Sequence, residues 1–408
     1  MLTPRSILIY SSLGHLYVHL CTAFYFVIVL ALEHAWQLPY HQLIGLWTIG
    51  SLMVGLVALP AGVVSDRVGR ARMMVVYFVG MGACAIAAGL SNTPTFLIMA
   101  LTGLGVFAAI YHPVGIPWLV RNAGSARGRA LGFNGIFGSL GTAAAGLTAG
   151  ILIDVISWRA AFIVPGALCL LTGAALLAQM SNRAPAPAAP RTLATHAETR
   201  QDMIRAFAIL VVTMFLAGLI YHTIQTTLPK LFAERNQTML GDGTAGVGML
   251  VAAVYAAAGI MQLGGGYLAD RFPIKTVYVV TILVQAPAIW LAASITGLPL
   301  VLVAMFMVMS GAAQLPAENM LLARYTPERR HGFAFGLKFV LSFGAAPLAV
   351  QLVAIVTGRT GGFYWVFALL TGAALVAFVA ATMLPSRLPA TTSAMSGAGA
   401  TVPSHPTS

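Results

Sequence analysis

Charge is what this chain has least of. Asp, Glu, Lys and Arg together make up 8% of its 408 residues, while 59% are hydrophobic. Soluble domains carry about 25% charged residues, and a water-facing surface of this size cannot be built from so few. Acid is scarcer still, with ten Asp and Glu against 22 Lys and Arg. Cysteine occurs three times, at Cys21, Cys84 and Cys169, each in an apolar run without a close partner. That spacing excludes a disulfide framework and a cysteine zinc motif, and leaves the thiols as small packing groups. A GxxxxGK[ST] phosphate loop is missing, as is a soluble segment to carry one, which argues against an ATP-driven pump. Nothing in the residue pattern points to an enzyme or a cofactor.

What is present is a series of twelve apolar runs, near 7–31, 43–64, 73–90, 95–120, 130–153, 160–180, 206–231, 246–268, 276–293, 299–323, 332–357 and 362–384. Each is long enough to cross a bilayer as a helix, which takes about 20 residues. The first is too long for a secretory h-region and is expected to be retained as a helix. The net charge of +12 is of the sign that nucleic acid attracts, but its distribution follows the runs. Seventeen of the 22 basic residues fall in segments on the side of the N-terminus, among them Arg5, Arg67, Arg70, Arg72, Arg121, Arg127, Arg129, Arg271 and Arg324. Arg159, Lys230, Arg235 and Arg359 fall on the other side, and Lys338 lies within a run. Such a bias places both termini in the cytoplasm, so the protein is expected to be a multi-pass protein of the inner (cytoplasmic) membrane, with lipid and not nucleic acid around it. The Pro- and Ala-rich stretch around "RAPAPAAPR" reads as a cytoplasmic linker over 181–205, and the tail over 386–408 reads as disordered.

Two stretches repeat. "GVVSDRVGR" from Gly62 and "GYLADRFPIK" from Gly266 pair Asp66 with Asp270 and Arg67 with Arg271 at an offset of 204. "HPVGIPWLVR" and "LPAENMLLAR" pair Pro113 with Pro316 and Arg121 with Arg324 at an offset of 203. The expected architecture is an all-α membrane protein of two pseudo-symmetric six-helix bundles, 1–180 and 206–385, with a binding site between them at the midplane.

The segment Gly62-Val63-Val64-Ser65-Asp66-Arg67-Val68-Gly69-Arg70 resembles the helix 2–3 loop signature of the major facilitator superfamily, and Ser157-Trp158-Arg159 resembles its helix 6 entry. Within that superfamily the chain looks most like the fosmidomycin-resistance group of drug exporters. The similar pieces are "SLGHL" (12–16), "TGLGVFAAIYHP" (102–113) and "IFGSLG" (136–141). The resemblance implies that Asp66, with Arg67 and Arg70, gates the cytoplasmic side by facing the start of helix 11 near Gly332. Asp270 and Arg271 would do the same to helix 5 near Ala130. A carboxylate at a helix N-terminus is stabilising by roughly 0.3–2 kcal/mol; the plainer reading is a topogenic loop. Two departures stand out: Met99 occupies the place of the helix 4 arginine found in proton-coupled exporters, and Gly141-Thr142 stands where many antiporters carry Gly-Pro.

Polar residues inside the runs are the candidate site. Glu318 is the only acidic residue well inside a run and Lys338 the only basic one, each roughly 9 Å from the cytoplasmic end at about 1.5 Å per residue. Equal depth on consecutive helices predicts an ion pair, since an unpaired charge there is costly. It is either a static bridge or a switch that opens on protonation or substrate binding. Gln314 shares the face of Glu318, and Asn319 adjoins it. His15 and His19 share one face of helix 1; metal coordination, proton exchange at a cavity and structural bonding all remain open for them. Two histidines are too few for a metal without other ligands, and the soft sulfur of Met305, Met307 and Met309 is clustered in sequence only. His112 sits roughly 13 Å deep beside Pro113, with Pro117 one turn on. Either Tyr111 and His112 present polar groups to a substrate, or His112 is bonded in a structural kink. Tyr221, His222 and Gln225 offer a similar face on helix 7. The chain therefore reads as a monomeric secondary transporter, a proton-coupled exporter of a small, partly polar organic molecule. The alternatives are an importer of an organic anion or metal chelate, and a non-transporting receptor or scaffold.

Overall fold

The computed structural model describes residues 2–180, 199–240, 243–327 and 330–385. Most of the linker and the whole tail lie outside these residues, as do Arg183, Arg191, Arg329 and Arg387. The described residues form helices and turns, with no strand among them. Among the described residues eleven helices are long and apolar enough to cross a membrane, or twelve when the one bent pair is counted as a span. In chain order the first six are α1 (Pro4–Trp36), α2 (Tyr40–Leu56 and, past a 48° bend, Ala58–Val68), α3 (Arg70–Gly89), α4 (Pro94–Asn122), α5 (Arg127–Val155) and α6 (Trp158–Gln179). The second six are α7 (Arg200–Arg235), α8 (Thr244–Arg271), α9 (Ile274–Ala292), α10 (Gly297–Arg324), α11 (His331–Thr360) and α12 (Tyr364–Thr382). Helix α7 thus begins inside the stretch read as linker. Spans alternate in direction, so each half starts and finishes at the end of the bundle where α1 begins and α12 ends. That end is called the near end below, and the opposite one the far end.

Local chemistry sets the helix ends. Thr3, Thr93, Ser157 and Thr199 accept from a backbone N–H of the first turn of α1, α4, α6 and α7, with Pro4 and Pro94 opening their helices. Gly69 turns the chain between α2 and α3 at a φ of 95°, which explains the glycine in the repeated motif. At the far end, Arg159 donates to the carbonyls of Gly89 and Ser91 at the end of α3, and Arg235 to those of Ala292, Ala293 and Ile295 at the end of α9. These two far-end arginines satisfy helix C-termini that have no partner of their own.

Lipid is as apolar as the side chains, so helix association relies on close packing and small residues more than on hydrophobic burial. Gly248 of α8 packs on Gly146 of α5 across the halves, and Gly105 of α4 packs on the carbonyl of Gly50 in α2. A Cβ at Gly105 would overlap that backbone oxygen, which cannot move without α2. Gly105→Val is therefore expected to cost about 1–3 kcal/mol of overpacking. A lower thermal unfolding midpoint in detergent would register it, and an unchanged midpoint would mean that α2 shifts freely.

The His-Pro pair of α4 lies just past a break at Ala109–Ile110, where Tyr111 starts a new helical segment. Pro113 is the third residue of that segment, and its missing N–H is one the first turn could not have used. Pro117, in the interior, leaves the carbonyl of Pro113 without its usual donor.

Candidate functional site

A cavity of about 430 Å³ lies between the halves, within the roughly 300–1,000 Å³ of small-molecule sites. Its wall draws on α1, α2, α4 and α5 from one half and on α7 through α11 from the other. His15, His19, His112, Tyr221, His222, Gln225, Gln314, Glu318, Asn319 and Lys338 all line it. Most of the wall is apolar or aromatic, including Phe26, Trp47, Phe339 and Phe343.

The polar groups gather at two places. In the second half, Lys338 Nζ lies 2.7 Å from Glu318 Oε1 and donates to Asn319 Oδ1 at 2.6 Å. The side chains of Glu318 and Lys338 are 2% and 12% exposed. The Tyr278 hydroxyl donates to Glu318 Oε2 at 3.1 Å and stands within bonding distance of Thr213 Oγ1, at 2.8 Å. The carboxylate is thus held from α9 and α11 at once. In the first half, the rings of His15, His19 and His112 form a triangle with centroids 5.0, 5.6 and 5.7 Å apart. His15 Nδ1 donates to the Asn134 carbonyl at 2.8 Å, and His112 packs against Phe339 and Phe343 of α11.

Tyr111 does not present itself to the cavity. It is fully buried behind His15, with its ring stacked on that imidazole at 5.1 Å and its hydroxyl bonded to the Asn134 amide. Consecutive helical residues point about 100° apart, so Tyr111 turns into the packed side of α4 while its neighbour His112 lines the cavity. Met305, Met307 and Met309 are likewise absent from the wall. Met99 is 59% exposed on the outer surface of α4, away from the cavity. Gly141 packs directly on the Leu16 carbonyl of α1, an approach that a side chain at that position would block.

The near and far ends differ. At the near end Asp66 bonds Arg70 at 2.9 Å, four residues on, with the Asp66 side chain 66% exposed, and Asp270 is exposed as well. Arg67 and Arg271 are also exposed, the latter stacked on Tyr267. At the far end the halves are tied together. Lys230 of α7 binds both oxygens of Glu33 on α1 at 2.7 and 2.9 Å, and Tyr40 of α2 donates to the Thr226 carbonyl at 3.0 Å. Asp154, ending α5, accepts from the backbone N–H groups of Thr244 and Ala245 at 3.0 and 2.8 Å, capping α8. Gln351 of α11 donates to Thr48 Oγ1 at 2.7 Å.

Sequence reasoning missed this far-end set. The signal for Asp154 was there: an acid closing an apolar run, the same helix-dipole chemistry expected of Asp66. Lys230 and Glu33 gave no such signal, being 197 residues apart in opposite halves. Asn134, Gln262 and Gln285 are neutral amides in apolar runs, and only the packing shows which face they occupy.

Several solved structures share this arrangement. A bacterial homolog of the human lysosomal transporter Spinster, in an inward-facing and occupied conformation, superposes with a TM-score of 0.72 at 15% identity, over 93% of this chain and 94% of that one. A peptide transporter in complex with sulfate does so with a TM-score of 0.73 at 16% identity, over 92% and 93%. Such low identity carries the fold alone. In sequence, a puromycin resistance protein of Streptomyces alboniger is 34% identical over 135 residues, 32% of this chain and 27% of that protein. A methylenomycin A resistance protein of Bacillus subtilis is 26% identical over 191 residues, 46% and 41%. A methyl viologen resistance protein of Salmonella typhimurium is 29% identical over 126 residues, 30% and 26%. The matched stretches thus span between about a quarter and two fifths of these curated relatives. The family model described as Major Facilitator Superfamily matches residues 12–240 and again 236–404, one match for each half of the repeat. With the repeated loop motif, the twin six-helix bundles and a cavity between them, the chain belongs to the Major Facilitator Superfamily of membrane transporters.

Proposed function

We propose that the protein is a proton-coupled exporter of small, partly polar organic molecules, acting as a monomer in the cytoplasmic membrane with both termini inside. The observation that carries this reading is the Glu318–Lys338 pair at 2.7 Å in the wall of a mostly apolar cavity. An intramembrane carboxylate that faces a ligand cavity is a place to exchange a proton for a substrate. The resistance proteins matched in sequence support an efflux direction, and the pieces around His15, His112 and Gly138 support a place near the fosmidomycin-resistance group. The near end would be cytoplasmic, so this conformation is the inward-open one, and the halves 1–180 and 206–385 would rock as units about the cavity. The deciding experiment is uptake into everted membrane vesicles across a panel of antimicrobials and metabolites, with and without a pH gradient. Gradient-dependent accumulation of at least one compound is expected; gradient-independent behaviour of every compound would overturn proton-coupled export.

In the outward-open state Asp66 is expected to leave Arg70 and meet the N-terminus of α11. Asp66→Asn should then slow transport while leaving insertion and folding intact. At roughly 0.3–2 kcal/mol for the helix-end interaction, the conformational balance would move by about 2- to 30-fold. Accessibility of cysteines introduced at each end measures that balance, and full transport with an unmoved balance would remove Asp66 from gating.

A further inference from the structure

We propose that His15, His19 and His112 form a binding site for a divalent transition-metal ion of the zinc, nickel and cobalt class, on the first-half wall of the cavity. One nitrogen from each ring lies within 4.8 Å of the other two. Two ligands come from one face of α1 and the third from the segment of α4 that begins at its break, so two separate backbones converge on the point. A tetrahedral ion bound at about 2.0–2.1 Å sets its ligand nitrogens roughly 3.4 Å apart. Ring rotations at three helix-borne side chains close that difference.

The surroundings are those of a ligand set. The bond from His15 Nδ1 to the Asn134 carbonyl fixes the proton on that nitrogen and leaves Nε2, on the Gly138 side of the ring, with the lone pair a metal needs. An outer acceptor of this kind is the usual orienting partner of a metal-binding imidazole. Asn134 is itself locked by the Tyr111 hydroxyl, so the buried tyrosine acts as a support two bonds removed. His112 offers the clearest sign. Both of its ring nitrogens are buried, and neither has a hydrogen-bond partner in the structure. A buried polar group without a partner is costly, and an ion supplies the missing bond. Three neutral imidazoles with no carboxylate or thiolate beside them suit a borderline ion better than magnesium or calcium, which require oxygen ligands. Three protein ligands leave one coordination position, and it faces the cavity, where an oxygen or nitrogen donor of a bound molecule could complete the sphere. This site depends neither on the direction of transport nor on proton coupling.

The test is a Co²⁺ titration of the purified, untagged full-length protein in detergent, followed by visible d–d absorption, with Zn²⁺ added as a competitor. One Co²⁺ per chain is expected, with the intense bands of a four-coordinate site, no sulfur-to-metal charge transfer, and loss of the bands on adding Zn²⁺. His15→Gln and His112→Gln should each weaken binding at least tenfold, whereas His34→Gln and His41→Gln should leave it unchanged. Thermal unfolding without metal checks that each variant is folded. If a variant does not fold, the wild-type spectrum decides. Failure of bands to develop in large excess Co²⁺, bands with thiolate charge transfer, or unaltered affinity in folded His15 and His112 variants would each overturn the site.

Discussion

Glu318→Gln is expected to abolish transport driven by a pH gradient while sparing exchange of substrate for substrate. Glutamine keeps the size of the side chain and its hydrogen bond with Tyr278, but can neither carry a proton nor hold the charge of Lys338. Protonation of Glu318 would weaken the 2.7 Å contact and leave Lys338 with Asn319, its other partner at 2.6 Å. Loading a proton therefore changes which residue holds the lysine, and the lysine belongs to α11, the helix whose start Asp66 is expected to gate. Proteoliposomes loaded with substrate separate the two activities. Loss of both would make Glu318 a structural or substrate-binding residue, and retention of gradient-driven transport would move the carrier to His19 or His112.

The partner variant tests the same pair from the other side. Lys338→Met leaves a carboxylate 2% exposed with no cation beside it. Removing one member of a buried pair typically costs about 3–5 kcal/mol, while replacing both by neutral groups is often close to neutral. Lys338→Met is thus expected to destabilise the protein strongly, and Glu318→Gln combined with Lys338→Met to recover most of the loss. A double variant no more stable than the single one would mean that the lysine contributes through packing and not through charge.

How much of this was legible beforehand follows from what each feature depends on. The twelve spans were readable because a bilayer demands about 20 apolar residues per crossing, and composition alone reports that. The two halves were readable because the Asp-Arg motif recurs at a near-constant offset. Glu318 and Lys338 stood out because ionised groups are rare in hydrocarbon, so few alternatives competed. Tyr111 and His112 read as one polar pair because they are neighbours in sequence, but neighbours on a helix point about 100° apart, so His112 lines the cavity and Tyr111 is buried. His112 could be singled out, but its meeting with His15 and His19 depends on how α4 packs against α1, which no local pattern encodes. Among the far-end ties only Asp154 left a sequence signal, whereas the pairing of Lys230 with Glu33, 197 positions apart, is tertiary and has no local pattern to announce it.

Those ties carry the remaining large effect. Lys230→Met is expected to shift the protein away from the far-end-closed conformation. Lys230 and Glu33 are each 19% exposed, so solvent screens their pairing only in part, and the ammonium meets both carboxylate oxygens. A hydrogen bond to a charged group contributes about 1.5–3 kcal/mol, which corresponds to a population change of roughly 10- to 150-fold. Glu234, at 3.6 Å from the same nitrogen, is a weaker neighbour on the same helix and does not span the halves. Lys230→Arg keeps the charge and should behave nearly as the wild type. A cysteine introduced at Thr22, in the cavity wall, reports the change through labelling by an impermeant thiol reagent applied from the far side. Labelling should rise at least tenfold in Lys230→Met and in Glu33→Gln, and no further when the two are combined, since both remove one shared contact. Additive increases would show that each residue acts through a different partner, and unchanged labelling would show that Asp154 and Tyr40 hold the far end shut without the ion pair.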